Sequence, residues 1–171
     1  MHRSEKSSRP RFRPTSPDRV TEETRFISVK VLNFGSVNID FTYQVEHFVR
    51  PGETLSARSV TRNAGGKGFN QSVALSRAGC EVYHAGHIGG DGMFLLELCR
   101  EYGINTQFLT EVDVPTGNAI IQVDDNGDNC IVLYGGANQE MGGDFIRQVL
   151  NHFTAGDVIV LQNEINLMNE S

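Results

Sequence analysis

The sequence predicts an α/β protein: a doubly wound, Rossmann-like, mostly parallel sheet with a small β-sheet lid. Three observations carry this. Apolar runs such as 26–37 and 157–165 read as strands buried on both faces, the mark of a parallel sheet. Helix-periodic segments alternate with them. Two further stretches, 39–62 and 117–135, alternate more loosely and contain turn signals, as expected of a sheet with one wet face.

In chain order, residues 26–37 (FISVKVLNFGSV) form the first core strand, ending near Gly35. IDFTYQVEHFV and ETLSARSVTRN follow as lid strands around the turn RPGE. KGFNQSVALSRAG spaces Phe69, Val73, Ala74 and Ala78 on one helical face and stops at Gly79. CEVYHAGHIG is a second buried strand, and DGMFLLELCREYG an amphipathic helix with Asp91 as its expected N-cap. TQFLTEV is a short strand. Two β-rich runs then meet at Asp125-Asn126-Gly127, a strong hairpin signal. GGDFIRQVLNHF reads as a helix and DVIVLQNEI as a third core strand, after which no helix or strand follows to cover it. That exposed edge leads to the expectation of an incomplete domain.

The 171 residues bound the function classes. Residues 1–30 carry eight Lys/Arg and four Asp/Glu, whereas the remainder carries seven and 17, so a net charge of −6 conceals an acidic body. Such a body excludes a nucleic-acid surface, which needs clustered Lys/Arg. No apolar run approaches the ~20 residues required to span a bilayer, and no membrane partner is expected. The Ser/Pro/Arg-rich residues 1–25 read as a disordered basic extension before a domain spanning 26–171. It lacks the apolar core of a secretory signal, which points to a cytoplasmic protein; Arg and Ser also suit an organelle transit peptide, though Glu5 and Asp18 oppose it. Cys80, Cys99 and Cys130 lack metal spacing and are expected to be buried free thiols.

NAGGKGFNQSVALSRAG, residues 63–79, raises the chemical question. A P-loop requires Ser or Thr after its Lys, and Lys67 is followed by Gly68; a dinucleotide fingerprint requires a third glycine that is absent. What remains is a ligand loop or a tight strand-to-helix turn. Gly65, Gly66 and Gly68 permit close backbone approach, and a helix start presents unpaired N–H donors. Lys67 adds a cation and Asn70 an amide, a good surface for hydroxyls. Asn38 and Asp40, two apart, point the same way on an extended chain just past the first core strand, where open α/β sheets bind ligands. Turn chemistry accounts for Asn and Asp equally well on spacing alone. Glu164 ends an otherwise apolar strand at the same sheet edge, where a carboxylate must be solvated or paired.

Taken in order, GSVNID (35–40), PGET (51–54), GGKGFNQSVALSRAG (65–79), GGDG (89–92), TG (116–117), GGAN (135–138) and LQNE (161–164) resemble the ribokinase-like (PfkB) family of carbohydrate kinases, over about residues 29–170. The resemblance implies a sugar pocket in which Asn38 and Asp40 bind D-ribose hydroxyls, Gly65, Gly66, Lys67 and Asn70 line the pocket, and Glu164 holds another hydroxyl. It implies that the glycines make room for the sugar and that the lid can serve as a homodimer contact; TG and GGAN read simply as lid turns and are left outside the site. ATP, Mg²⁺ and K⁺ are the implied cofactors. Family kinases carry the catalytic aspartate in a Gly-Ala-Gly-Asp motif in their C-terminal half. The Gly-Gly-Asp strings at 89–92 and 142–145 stand in the wrong context, so no catalytic residue and no metal site is assigned, and the chain alone is expected to be inactive. Phe69 and Phe94 stand where the family usually has a small residue and a glycine.

Overall fold

A computed structural model describes residues 29–166 of the chain. The extension expected at 1–25 and the proposed start of order near Phe26 lie outside the described residues.

Four strands form the main sheet. β1 (Lys30–Phe34) and β4 (Glu81–Ile88) are its centre, flanked by β5 (Asn105–Glu111) and β8 (Val158–Leu161), in the order β5-β4-β1-β8 and parallel throughout. Alternate residues of β1 leave by opposite faces. Val31 joins Val82, Phe69, Leu95 and Cys99 beneath helices α1 (Lys67–Arg77) and α2 (Met93–Glu101). Leu32 and Phe34 join Ala85, Phe108 and Val149 beneath α3 (Gly143–Leu150). A sheet covered on both faces explains the continuous apolar runs. Phe69 packs into the first of these cores, which accounts for a large residue behind a glycine loop.

The lid is a second four-stranded sheet in the order β3-β2-β6-β7, built from β2 (Asn38–Gln44), β3 (Ser59–Gly65), β6 (Gly117–Val123) and β7 (Asn129–Tyr134). β2 pairs antiparallel with β3 and parallel with β6; β6 and β7 form the hairpin read from the sequence. Its turn is closed by Asp124, whose Oδ1 accepts the Asn126 and Asp128 amides, and by Gly127 at φ 84°. Of the second expected lid strand only residues 59–63 are extended in a ladder, which runs on to Gly65. The preceding segment is a loop, because Glu53 takes the Arg50 N–H at 2.9 Å and pairs with His47 instead of pointing across a strand.

Two local expectations are corrected. Asp91 does not cap α2: it lies in a 3₁₀ turn, and Gly92 occupies the cap position. Its carboxylate accepts Thr116 N–H at 2.9 Å and Thr116 O–H at 2.7 Å, a tie across 25 residues that outcompetes the local cap. Nor are all three thiols buried. Cys99 is, Cys80 is half-buried, and Cys130 is exposed because it lies on the edge strand β7. Burial pushes the Cys99 thiol up to about 12, leaving it inert. Val158, Ile159 and Leu161 of β8 are exposed, in keeping with the bare apolar edge expected at this strand. Among the described residues no helix is long and apolar enough to cross a membrane.

Candidate sugar-binding site

The site lies where β1 hands the chain to the lid. Residues 35–37 leave the C-terminal end of β1, turn, and enter β2; residues 65–66 leave β3 and enter α1. The two turns run against each other with no side chain between them. A Cβ on Gly68 would lie 2.5 Å from Ser36 N, and one on Gly66 would lie 2.6 Å from Ser36 O. Gly66 also has φ 95°, a conformation that glycine alone adopts cheaply. Phe69 N–H then donates to Ser36 O at 2.9 Å, closing the junction.

A cavity of about 310 Å³ opens above this junction. Asn38 and Asp40 of β2, Gly66, and Lys67 and Asn70 of α1 line one side. Glu164, just past β8, lines another, and Ala119, Ile121, Ile131 and Leu133 of the lid form an apolar wall. Six of the seven residues expected in the site therefore converge on one space from three segments of the chain. Gly65 has a different place. It is buried, and a side chain on it would overlap the Asp40 carboxylate. The space these glycines leave is thus filled mainly by the 35–38 turn and by Asp40, with Gly66 alone among them bordering the cavity.

The charges are arranged as an alternating set. Lys67 pairs with Glu164 Oε1, and Ser36 O–H donates to Glu164 Oε2 at 2.8 Å. Burial pushes the Glu164 carboxyl up, but the Lys67 ammonium and the Ser36 hydroxyl outweigh it and hold the group below its ordinary range. Among the described residues Asp40 has no such partner. Burial first, and then the negative charge of Glu164, raise its carboxyl above 3.8. A partly desolvated carboxylate without an ion-pair partner is a strong hydrogen-bond acceptor.

Sequence reasoning passes over three contributors. Ser36 lies inside the GSVNID string but is not distinguishable there from a turn serine. Asn138, in the GGAN string, bonds to both Val37 and Asn38. The lid aliphatics show only as β-periodic residues. One further string, Ala155-Gly156-Asp157, has the Gly-Asp of the expected catalytic motif. Asp157 instead accepts Lys30 N–H at 3.0 Å and Thr154 N–H at 2.8 Å, at the start of β1 and β8 and thus at the opposite end of the sheet. It closes a turn.

Such a pocket, at the C-terminal ends of parallel strands and under a β lid, is where open α/β sheets bind small ligands, and comparison with known proteins identifies the family. Residues 29–169 match the pfkB family of carbohydrate kinases, and the chain belongs to that family. Among curated relatives it is 36% identical over 136 residues to the ribokinase of Haemophilus influenzae, covering 78% of this chain and 44% of that one. It is 34% identical over 140 residues to the ribokinase of Staphylococcus aureus, covering 80% and 46%. Among solved structures it superposes on the ribokinase of Cryptococcus neoformans in complex with ADP, with a TM-score of 0.70 and 41% identity over 82% of this chain and 42% of that one. The Arabidopsis thaliana ribokinase complexed with ribose and ATP gives 0.67 and 28% over 82% and 47%. The chain spans less than half the length of these relatives.

Proposed function

We propose that residues 29–166 are the sugar-binding part of an ATP-dependent kinase that phosphorylates the primary hydroxyl of D-ribose, giving ribose 5-phosphate and ADP. The single observation that carries this reading is the convergence of Asp40, Lys67, Asn70 and Glu164 on one cavity under the lid. Relatives named ribokinase favour ribose over other sugars.

In this reading Asp40 accepts hydrogen bonds from sugar hydroxyls, Lys67 and Asn70 donate to hydroxyl oxygens, and Glu164 accepts from a further hydroxyl while holding Lys67 in place. The lid aliphatics exclude water from the bound sugar. ATP, Mg²⁺ and K⁺ would supply the phosphoryl group and neutralise its charge. Among the described residues no three His, Cys, Asp or Glu side chains gather to hold a metal. The 171 residues alone, which carry no Gly-Ala-Gly-Asp string, would bind sugar without transferring phosphate.

The lid supports a further proposal, association with a second copy. Ile131, Val132, Leu133 and Tyr134 are 49–63% exposed on β7, whose outer edge pairs with no other strand among the described residues.

Calorimetric titration of the chain with D-ribose, D-fructose and inosine tests the reading. Ribose binding tightest is the expected result; no sugar binding, or inosine binding tightest, would overturn it. A coupled ADP-release assay with ribose and ATP is expected to show no turnover.

A further inference from the structure

Asn138 follows β7 in a 3₁₀ turn and is 1% exposed. Both ends of its amide are engaged. Val37 N–H donates to Asn138 Oδ1 at 2.9 Å, while Asn138 Nδ2 donates to Val37 O at 3.3 Å and to Asn38 Oδ1 at 2.7 Å. These contacts determine the orientation of both amides. A backbone N–H only donates, so the Asn138 atom facing Val37 N is its oxygen, and the other is its nitrogen. That nitrogen only donates, so the Asn38 atom facing it is also an oxygen.

Asn38 borders the cavity and is 5% exposed. With its oxygen committed to Asn138, it has its NH₂ group left for a ligand. Asp40, on the same face of β2, offers only acceptors when ionised. The pair is also confined from behind. A Cβ on Gly117, the β6 residue opposite Asn38, would lie 2.5 Å from Asn38 Oδ1 and 2.7 Å from Gly135 O.

We propose that Asn138 is a positioning residue that holds the Asn38 amide with its NH₂ toward the cavity, so that a donor and the Asp40 acceptor stand side by side as a match for two neighbouring hydroxyls of the substrate. One hydroxyl accepts from Asn38 and the other donates to Asp40. This rests on the sugar-binding reading above and adds the polarity of its recognition.

A structural role for Asn138, tying the turn to the Val37 backbone, would not act through Asn38, and a double-mutant cycle separates the two. The measurements are calorimetric ribose affinity and thermal midpoint for the 171-residue chain, for Asn138→Asp, for Asn38→Ala, and for both together. The carboxylate introduced by Asn138→Asp would still accept from Val37 N–H but would repel the Asn38 oxygen and turn that amide over. Each single variant should bind ribose about tenfold more weakly, and the double variant no more weakly than Asn38→Ala. Losses that multiply in the double variant, or unchanged affinity in folded Asn138→Asp, would overturn the proposal. Should Asn138→Asp fail to fold, Asn38→Asp decides: it keeps the acceptor for Asn138 and replaces the donor with a charged acceptor beside Asp40. A loss of about tenfold supports the proposal, and unchanged affinity overturns it. If the wild-type chain binds no sugar, the sugar-binding reading itself falls and takes the proposal with it, an outcome distinct from additive losses in a chain that binds.

Discussion

The carboxylate of Asp40 fills the space that a side chain on Gly65 would need. The β2–β3 ladder sets Asn38 opposite Gly65, which makes Asp40, two residues further on, the diagonal neighbour on the same face. The missing Cβ thus lets Asp40 reach inward. Gly65→Ala should drive the carboxylate off its position and weaken ribose binding by about tenfold or more, with the secondary structure retained in circular dichroism. Unchanged affinity in calorimetry would show that Gly65 does not set the place of Asp40.

Asp40 should also be a residue whose removal stabilises the fold. Burial, and then Glu164, raise its carboxyl above 3.8. In the window between 3.8 and the raised value, the native chain holds a proton that the unfolded chain has lost. Stability therefore falls as pH rises through that window, and the deficit persists at neutral pH. Asp40→Asn should raise the thermal midpoint at pH 7 by ~1–3 °C while removing ribose binding. The gain should shrink toward pH 4. A lower midpoint at pH 7 would mean that Asp40 has a stabilising partner in the fold.

Lys67 is 70% exposed and Glu164 20% exposed, so their ion pair contributes little to global stability. Its importance lies in the charge of Glu164. Lys67→Met would leave that carboxylate with its burial, the Ser36 hydroxyl and the repulsion of Asp40. Glu164 should then titrate at higher pH than in the wild type, with ribose affinity reduced about tenfold and the midpoint within ~2 °C of wild type. Affinity measured from pH 5 to 8 checks this, and a pH profile identical to wild type would detach Lys67 from Glu164.

The order of strands and helices was legible because each core element carries its own period, and the convergence of Asp40, Lys67, Asn70 and Glu164 was legible from strand ends plus family resemblance. What could not be read is which group fills a space. Glycine at 65, 66 and 68 announces close approach, but only the fold shows that a neighbouring turn and Asp40 are what approach. Asn138 was hidden because its partners lie 100 and 101 residues away, while locally it resembles any turn asparagine. Asp91 misled for the mirror reason: a good local cap was overruled by Thr116. Cys130 was misjudged because apolar spacing on an edge strand looks the same as on a central one.

Beneath the turns at 35–37 and 65–66, a buried polar chain should give the fold its acid sensitivity. His84 is fully buried; its Nδ1 faces the Ser72 hydroxyl at 2.8 Å and its Nε2 faces Gly35 O at 3.1 Å. A carbonyl oxygen only accepts, so Nε2 carries the proton, and neutral Nδ1 accepts from Ser72. Asn33 donates to the same hydroxyl at 3.0 Å and to Gly68 O at 2.8 Å, linking both turns. Charging the ring would put a second proton on Nδ1 with no acceptor but a hydroxyl, and burial lowers its pKa to about 4, offset only in part by Gly35. Unfolded histidine titrates near 6.5, so between 6.5 and about 4 the unfolded chain binds the extra proton and the native chain does not. The contribution is complete above 6.5 and drains as pH falls toward 4, on the order of 3 kcal/mol in all. Urea midpoints from pH 7.5 to 4.5 should therefore fall steeply for the wild type. The triple variant Asn33→Val, Ser72→Ala, His84→Phe replaces the three polar side chains with apolar ones, at the cost of the donors to Gly35 O and Gly68 O, and should fall less steeply over the same interval. Equal slopes for the two proteins would assign the acid sensitivity to groups other than His84.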